Sequence, residues 1–316
     1  MSVALKVRRQ LRDIRQRAVD QQLLQVERAR RAIIAGTADV LMLGDSSFLW
    51  ASPDDHEQIL IPGLVRREMN PAHVAVIAGP GFGAGVYGDI LRLFAQLDQR
   101  PGALIVAMST RPNAMTHVTE NPWYRYDRLR AHLTAQDPRK KVRSLLRGGS
   151  KPDDAEKAEF DKLEVVTRWG GRSTIGSHRA GLRGKVIQPM SRDVRKRLFD
   201  FYHGEIVTVD HPRLTEVRRF GETVRQYGVP TSIYWDPAPL HHGESLFPGE
   251  FETHVRANLA QLQAALTPAG ETTPLLVEAP LEDADFFDSS DGNEHYSLSG
   301  RRKIAQAVVA ELRAKR

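Results

Sequence analysis

Five short, unbroken apolar runs, separated by stretches of helical periodicity, narrow the possible folds more than any other feature of this sequence. The runs are ADVLMLG (38–44), HVAVIAG (73–79), GALIVAM (102–108), VPTSIYW (229–235) and PLLVEA (274–279). None alternates polar with apolar residues, so each suits a strand covered on both faces, the situation of strands in parallel sheets. Helices are expected over about 56–69, 87–98, 212–227, 250–266 and 299–315. Strand–helix alternation of this kind implies a parallel α/β sheet with right-handed crossovers. Ligands in such sheets bind beyond the carboxyl ends of the strands, so the loops after each run are where chemistry is expected.

The third and fourth runs lie too far apart for a single crossover. Residues 113–211 therefore read as an insertion, a lid or cap; its 138–199 stretch is rich in Arg, Lys and Gly. At the other end, residues 4–35 contain neither Pro nor Gly and stop at Gly36, which predicts a long helix with Val7, Leu11, Ile14 and Ala18 on one stripe. The domain reading is thus a basic N-terminal helix (1–36) and an α/β domain (37–316).

Charge is distributed unevenly. Residues 1–35 hold nine Lys and Arg against three acids, which equals the whole chain's net charge of +6. The remainder is balanced, so a nucleic acid is not an expected partner. The basic helix either packs on the domain with a solvated arginine face or meets an anionic surface, a membrane or an acidic partner. The chain has no cysteine, which excludes disulfides, cysteine–zinc sites and a thiol nucleophile. No run of 18 or more apolar residues is present, and the first residues lack the apolar core of a secretory signal. A cytoplasmic protein, in contact at most with the periphery of a membrane, is the expectation.

Candidate chemistry gathers at two places. Gly44-Asp45-Ser46-Ser47 follows the first run, where backbone N–H groups of a turn or helix start converge and can hold a developing oxyanion. A serine needs a base to become nucleophilic. The candidate base is His295, in FFDSSDGNEHYSLSGRR (286–302), with Asp288 and Asp291 close before it and a final helix after it. A carboxylate in that position holds an imidazole in the tautomer that accepts a serine proton. After the fourth run, WDPAPLHHGESLF places Asp236, His241 and His242 near the same edge. Adjacent histidines without helical metal-ligand spacing read as pocket lining, so no metal is expected. There is no phosphate-binding GxxxxGK[ST], and GPGFGAG departs from GxGxxG, so no nucleotide cofactor is expected either.

The order of these blocks, serine after the first strand and Asp/His before the last helix, resembles the GDSL/SGNH hydrolase superfamily over about residues 37–110 and 228–314. That resemblance implies a flavodoxin-like three-layer sandwich with a five-stranded parallel sheet. It implies Ser46 as nucleophile, His295 as base, and Asp291 or Asp288 as the acid that orients it. The family's last block has Asp three residues before His; here Asp291 lies four before. The oxyanion hole would use the Ser46 N–H and a glycine of the second block, Gly83 or Gly85. The family's third block, Gly-x-Asn-Asp, is replaced by AMSTRPNAMTH, where Ser109, Arg111 or Asn113 would donate instead. Asp45, Trp123, Tyr124 and His241 are expected to contact substrate. The implied activity is hydrolysis of an acyl ester, of a small molecule or a glycan. O-acyl transfer on the same residues, or a non-catalytic binding protein on this frame, are the alternatives.

Overall fold

The computed structural model describes residues 21–69, 73–110, 129, 133, 158, 159, 161–180, 190–267, 275–277, 281–292 and 294–314. Within them the chain is an α/β sandwich. The parallel strands are β1 (Val40–Gly44), β2 (Val74–Ala78), β3 (Ala103–Met108), β6 (Thr231–Trp235) and β7 (Leu275–Val277), in the order β2-β1-β3-β6-β7. Four strands of five or six residues make the body of the sheet, and β7 adds three residues beside β6. The rest of the last apolar run, 274 and 278–279, lies outside the described residues.

The unbroken apolar character of the runs has a direct cause. Successive side chains leave a strand on opposite faces, and here each face meets helices. Leu41, Leu43, Ile77, Leu104, Val106 and Ile233 belong to one core cluster. It also holds side chains from α1 (21–34), α3 (Ala84–Phe94), α6 (Leu214–Tyr227) and α8 (Phe251–Leu266). Val40, Met42, Ile105 and Tyr234 point the other way, to α2 (Ile61–Met69) and α9 (Leu298–Ala314). A third cluster joins Phe199 of α5 (Arg192–His203), Leu246 of α7 (Leu240–Leu246), and Phe251 and Val255 of α8.

Within α1, Leu23, Val26, Ala29 and Ile33 are buried while Arg28 and Arg31 are exposed. Gln25 Oε1 also accepts from Ala78 N, tying the helix to the end of β2. The described part of the basic segment therefore packs on the domain. Its stripe at Val7, Leu11, Ile14 and Ala18 lies outside the described residues. No helix among the described residues is long and apolar enough to cross a membrane.

Between β3 and β6 the described residues form an antiparallel hairpin, β4 (Glu164–Thr167) and β5 (Gly171–Thr174), followed by α4 (Ile175–Ala180) and α5. Asp200 of α5 holds the hairpin. Its carboxylate accepts from the Thr167 hydroxyl (2.8 Å) and Trp169 N (3.2 Å). Asn258 of α8 braces the following segment, accepting from Val207 N and donating to Glu205 O.

Two helices start elsewhere than expected. The helix read over 56–69 begins at Ile61, because the carbonyls of Glu57 and Ile59 are taken by Arg301, far along the chain. The helix read from residue 87 begins at Ala84, so Gly85 and Gly88 are helical. Local propensity disfavours glycine there, but packing on α6 overrides it.

Candidate active site

The carboxyl ends of β1, β3 and β6 lie side by side. β1 pairs with β3 and β3 with β6, and Asp236 N donates to Met108 O, so the residues just beyond each strand are neighbours. They are Asp45-Ser46, Ser109 and Asp236. The strand order reverses between β1 and β3, the crevice where parallel sheets bind ligands.

After β1 the chain makes one turn of 3₁₀ helix, Ser46–Phe48. Asp45 starts it, accepting from Ser47 N at 2.8 Å. Phe48 is fully buried and lies across Gly44, where an added Cβ would clash with its ring. Only glycine at 44 lets Phe48 remain in the core, a burial that contributes about 1.5–3 kcal/mol. The glycine of the Gly-Asp-Ser sequence thus anchors the turn that presents Ser46.

His295 reaches this turn from the last loop. Its Nε2 lies 3.4 Å from Ser46 Oγ, and both residues are part-exposed. The separation is on the long side for a hydrogen bond. The loop is held at several points. Phe286 and Tyr296 form an antiparallel bridge, and Phe287 N donates to His295 O at 3.0 Å. Glu294 accepts from the Ser109 hydroxyl at 3.0 Å, in the interior. His203 Nε2–H donates to Gly292 O at 2.9 Å, which ties α5 to the same loop. Gly292 itself has φ +74, a left-handed turn that suits glycine. The indole of Trp50 stacks on the His295 ring, with centroids 5.0 Å apart and planes 16° from parallel.

The other expected site residues divide. Gly83 caps α3 in extended backbone and Gly85 lies in its first turn, where N–H groups have no acceptor inside the helix. Ser109, beyond the end of β3, donates its hydroxyl to Glu294. Asp288 caps a 3₁₀ turn, accepting from Ser290 N and the Ser290 hydroxyl. Asp291 belongs to that turn, but its side chain lies outside the described residues, as do Arg111, Asn113, Trp123 and Tyr124. His241 is exposed and pairs with Asp283 at 2.7 Å, which raises its affinity for a proton.

Sequence reasoning did not anticipate how acidic the floor of this site is. Asp45, Asp236 and Glu294 are each at least 95% buried. Among the described residues, neither carboxyl oxygen of Asp236 is in hydrogen-bonding geometry with a partner. Burial, then the Asp45 and Glu294 carboxylates, push the Asp236 carboxyl well above the usual carboxylate range, against the pull of the Ser47 and Tyr296 hydroxyls. The folded state therefore binds this proton more tightly than the unfolded chain. Its stability falls as pH rises above about 3.9, the unfolded carboxyl value. Asp236→Asn removes the penalty. It should melt higher than the unmodified protein at pH 8, with a smaller difference at pH 4; equal differences at the two pH values would refute this assignment.

No protein-family model matches the chain, and no curated protein matches it.

Proposed function

We propose that this protein is a serine-dependent ester enzyme of the GDSL/SGNH type. The observation that carries the reading is the 3.4 Å approach of His295 Nε2 to Ser46 Oγ, between residues 249 apart in sequence, at the crevice of a parallel sheet. His295 takes the Ser46 proton as Oγ attacks an acyl carbonyl. The tetrahedral oxyanion forms beside the N–H groups of the Ser46 turn and of the first turn of α3, where Gly83 and Gly85 stand. His295 then gives the proton to the departing alkoxide, leaving an acyl group on Ser46. Water completes hydrolysis; an alcohol in its place completes O-acyl transfer.

Asp291 or Asp288 orients His295 in this reading, and Glu294, held by Ser109, fixes the backbone one residue away. The exposed rim, with Phe287 and Leu49 uncovered, suits a bulky alcohol such as a sugar. The test is turnover. Purified protein is expected to release acetate from O-acetylated sugars or short aryl esters, and Ser46→Ala to release none. Hydrolysis retained by a folded Ser46→Ala protein would end the proposal.

A further inference from the structure

Loop anchors on both sides of His295 fix its backbone beside the Ser46 turn. Glu294 before it is bonded to Ser109, and Tyr296 after it gives its carbonyl to Arg301. What lies flat against the ring is Trp50, with centroids 5.0 Å apart and planes within 16°. Phe287 packs on the same indole, with centroids at 4.7 Å and planes at 60°. The three rings form a row of Phe287, Trp50 and His295.

Trp50 is tied to the nucleophile by chain connectivity. It follows Ser46 by four residues, past a 3₁₀ turn closed by Leu49 N donating to Ser46 O and pinned by the buried Phe48. One short segment thus carries both the Ser46 hydroxyl and the ring that lies flat against His295.

We infer that Trp50 is a positioning residue for His295: its indole face holds the imidazole in the plane that aims Nε2 at Ser46 Oγ and favours the imidazolium formed once the proton has moved. The inference rests on the Ser46–His295 reading. An imidazolium over an indole face, within about 6 Å of its centroid, is stabilised by the ring quadrupole. The charge exists after proton transfer and not before, so this stabilisation favours the reaction step over substrate binding.

Aromatic character at position 50 is therefore what matters, not bulk alone. Trp50→Phe keeps a ring face, whereas Trp50→Leu keeps apolar cover without one. The experiment measures inactivation by a fluorophosphonate probe in the unmodified protein, both variants and Ser46→Ala. The maximal inactivation rate is separated from the probe's apparent affinity, and the His295 ring protons are followed by NMR. Trp50→Leu is expected to lower the maximal rate roughly 2- to 30-fold, the range of one cation–π contact, with apparent affinity nearly unchanged. Trp50→Phe should restore most of the rate. The His295 ring protons should be shifted upfield by the stacked indole and relax toward ordinary positions in Trp50→Leu. An unchanged rate in Trp50→Leu, or a Trp50→Phe protein as slow as Trp50→Leu, overturns the positioning role while leaving the Ser46 reading intact. A folded unmodified protein that labels no better than Ser46→Ala ends both.

Discussion

His295→Gln is expected to lower the rate at which Ser46 is acylated by about 10²–10⁴-fold, the span that general-base catalysis contributes. Glutamine fills much of the same volume and can still face the Ser46 hydroxyl, but it cannot accept its proton. The loss should fall on the chemical step, because the turn at Ser46 and the start of α3 remain as they are. The effect is read as the rate of ester cleavage or of probe labelling, beside a thermal melt that reports the fold. A His295→Gln protein that labels at the original rate would show that Ser46 is activated by some other group or not at all.

The second large effect is on stability and lies beneath the same loop. Arg301 is completely buried, an unusual place for a guanidinium. It donates to Asp55 Oδ2 at 2.9 Å, to Tyr296 O at 2.8 Å, to Ile59 O at 2.9 Å and to Glu57 O at 3.3 Å. Asp55 in turn accepts from Leu298 N, capping α9. Arg301→Ala leaves Asp55 largely buried without its counter-charge and three carbonyls without this donor. Breaking one side of a buried pair costs about 3–5 kcal/mol. The melting temperature should fall on the order of 10 °C. Arg302 is the internal control. Its guanidinium meets Glu57 at 2.9 Å but is 45% exposed, so Arg302→Ala should cost at most about 1 kcal/mol. Equal losses from the two variants would contradict this assignment of Arg301.

Arg301 also shows where sequence reading stops. Both Arg301 and Arg302 follow the motif that drew attention to His295, and nothing local separates them; one is at the centre of a buried network and the other is at the surface. The difference arises from residues 55–59, and the same contact holds 57–60 out of the helix that periodicity suggested there. Patterns set by burial on two faces, as at Val40–Gly44 or Ala103–Met108, survive in the sequence because every residue of the run is apolar. Contacts between segments more than 200 residues apart leave no such trace.

The site divides along the same line. The meeting of Ser46 and His295 was legible from residue type and chain order, a serine after the first strand and a histidine before the last helix. Trp50 was not, although its position four residues after the serine and at the exit of a one-turn helix was a usable signal. The contact of Glu294 with Ser109 was hidden because Asp288 and Asp291 drew the attention to acids earlier in the same loop. Asp236 was visible only as one of several polar residues after the fourth run. Its buried setting between Asp45 and Glu294 depends on the strand order, which puts the ends of β1, β3 and β6 together.

The most direct measurement is peptide mapping by mass spectrometry after fluorophosphonate treatment of the folded protein. A single adduct on Ser46, absent from Ser46→Ala and strongly slowed in His295→Gln, is the expected result. An adduct on another residue, or none on Ser46 in a protein shown to be folded, would contradict the assignment of Ser46 and His295 as nucleophile and base.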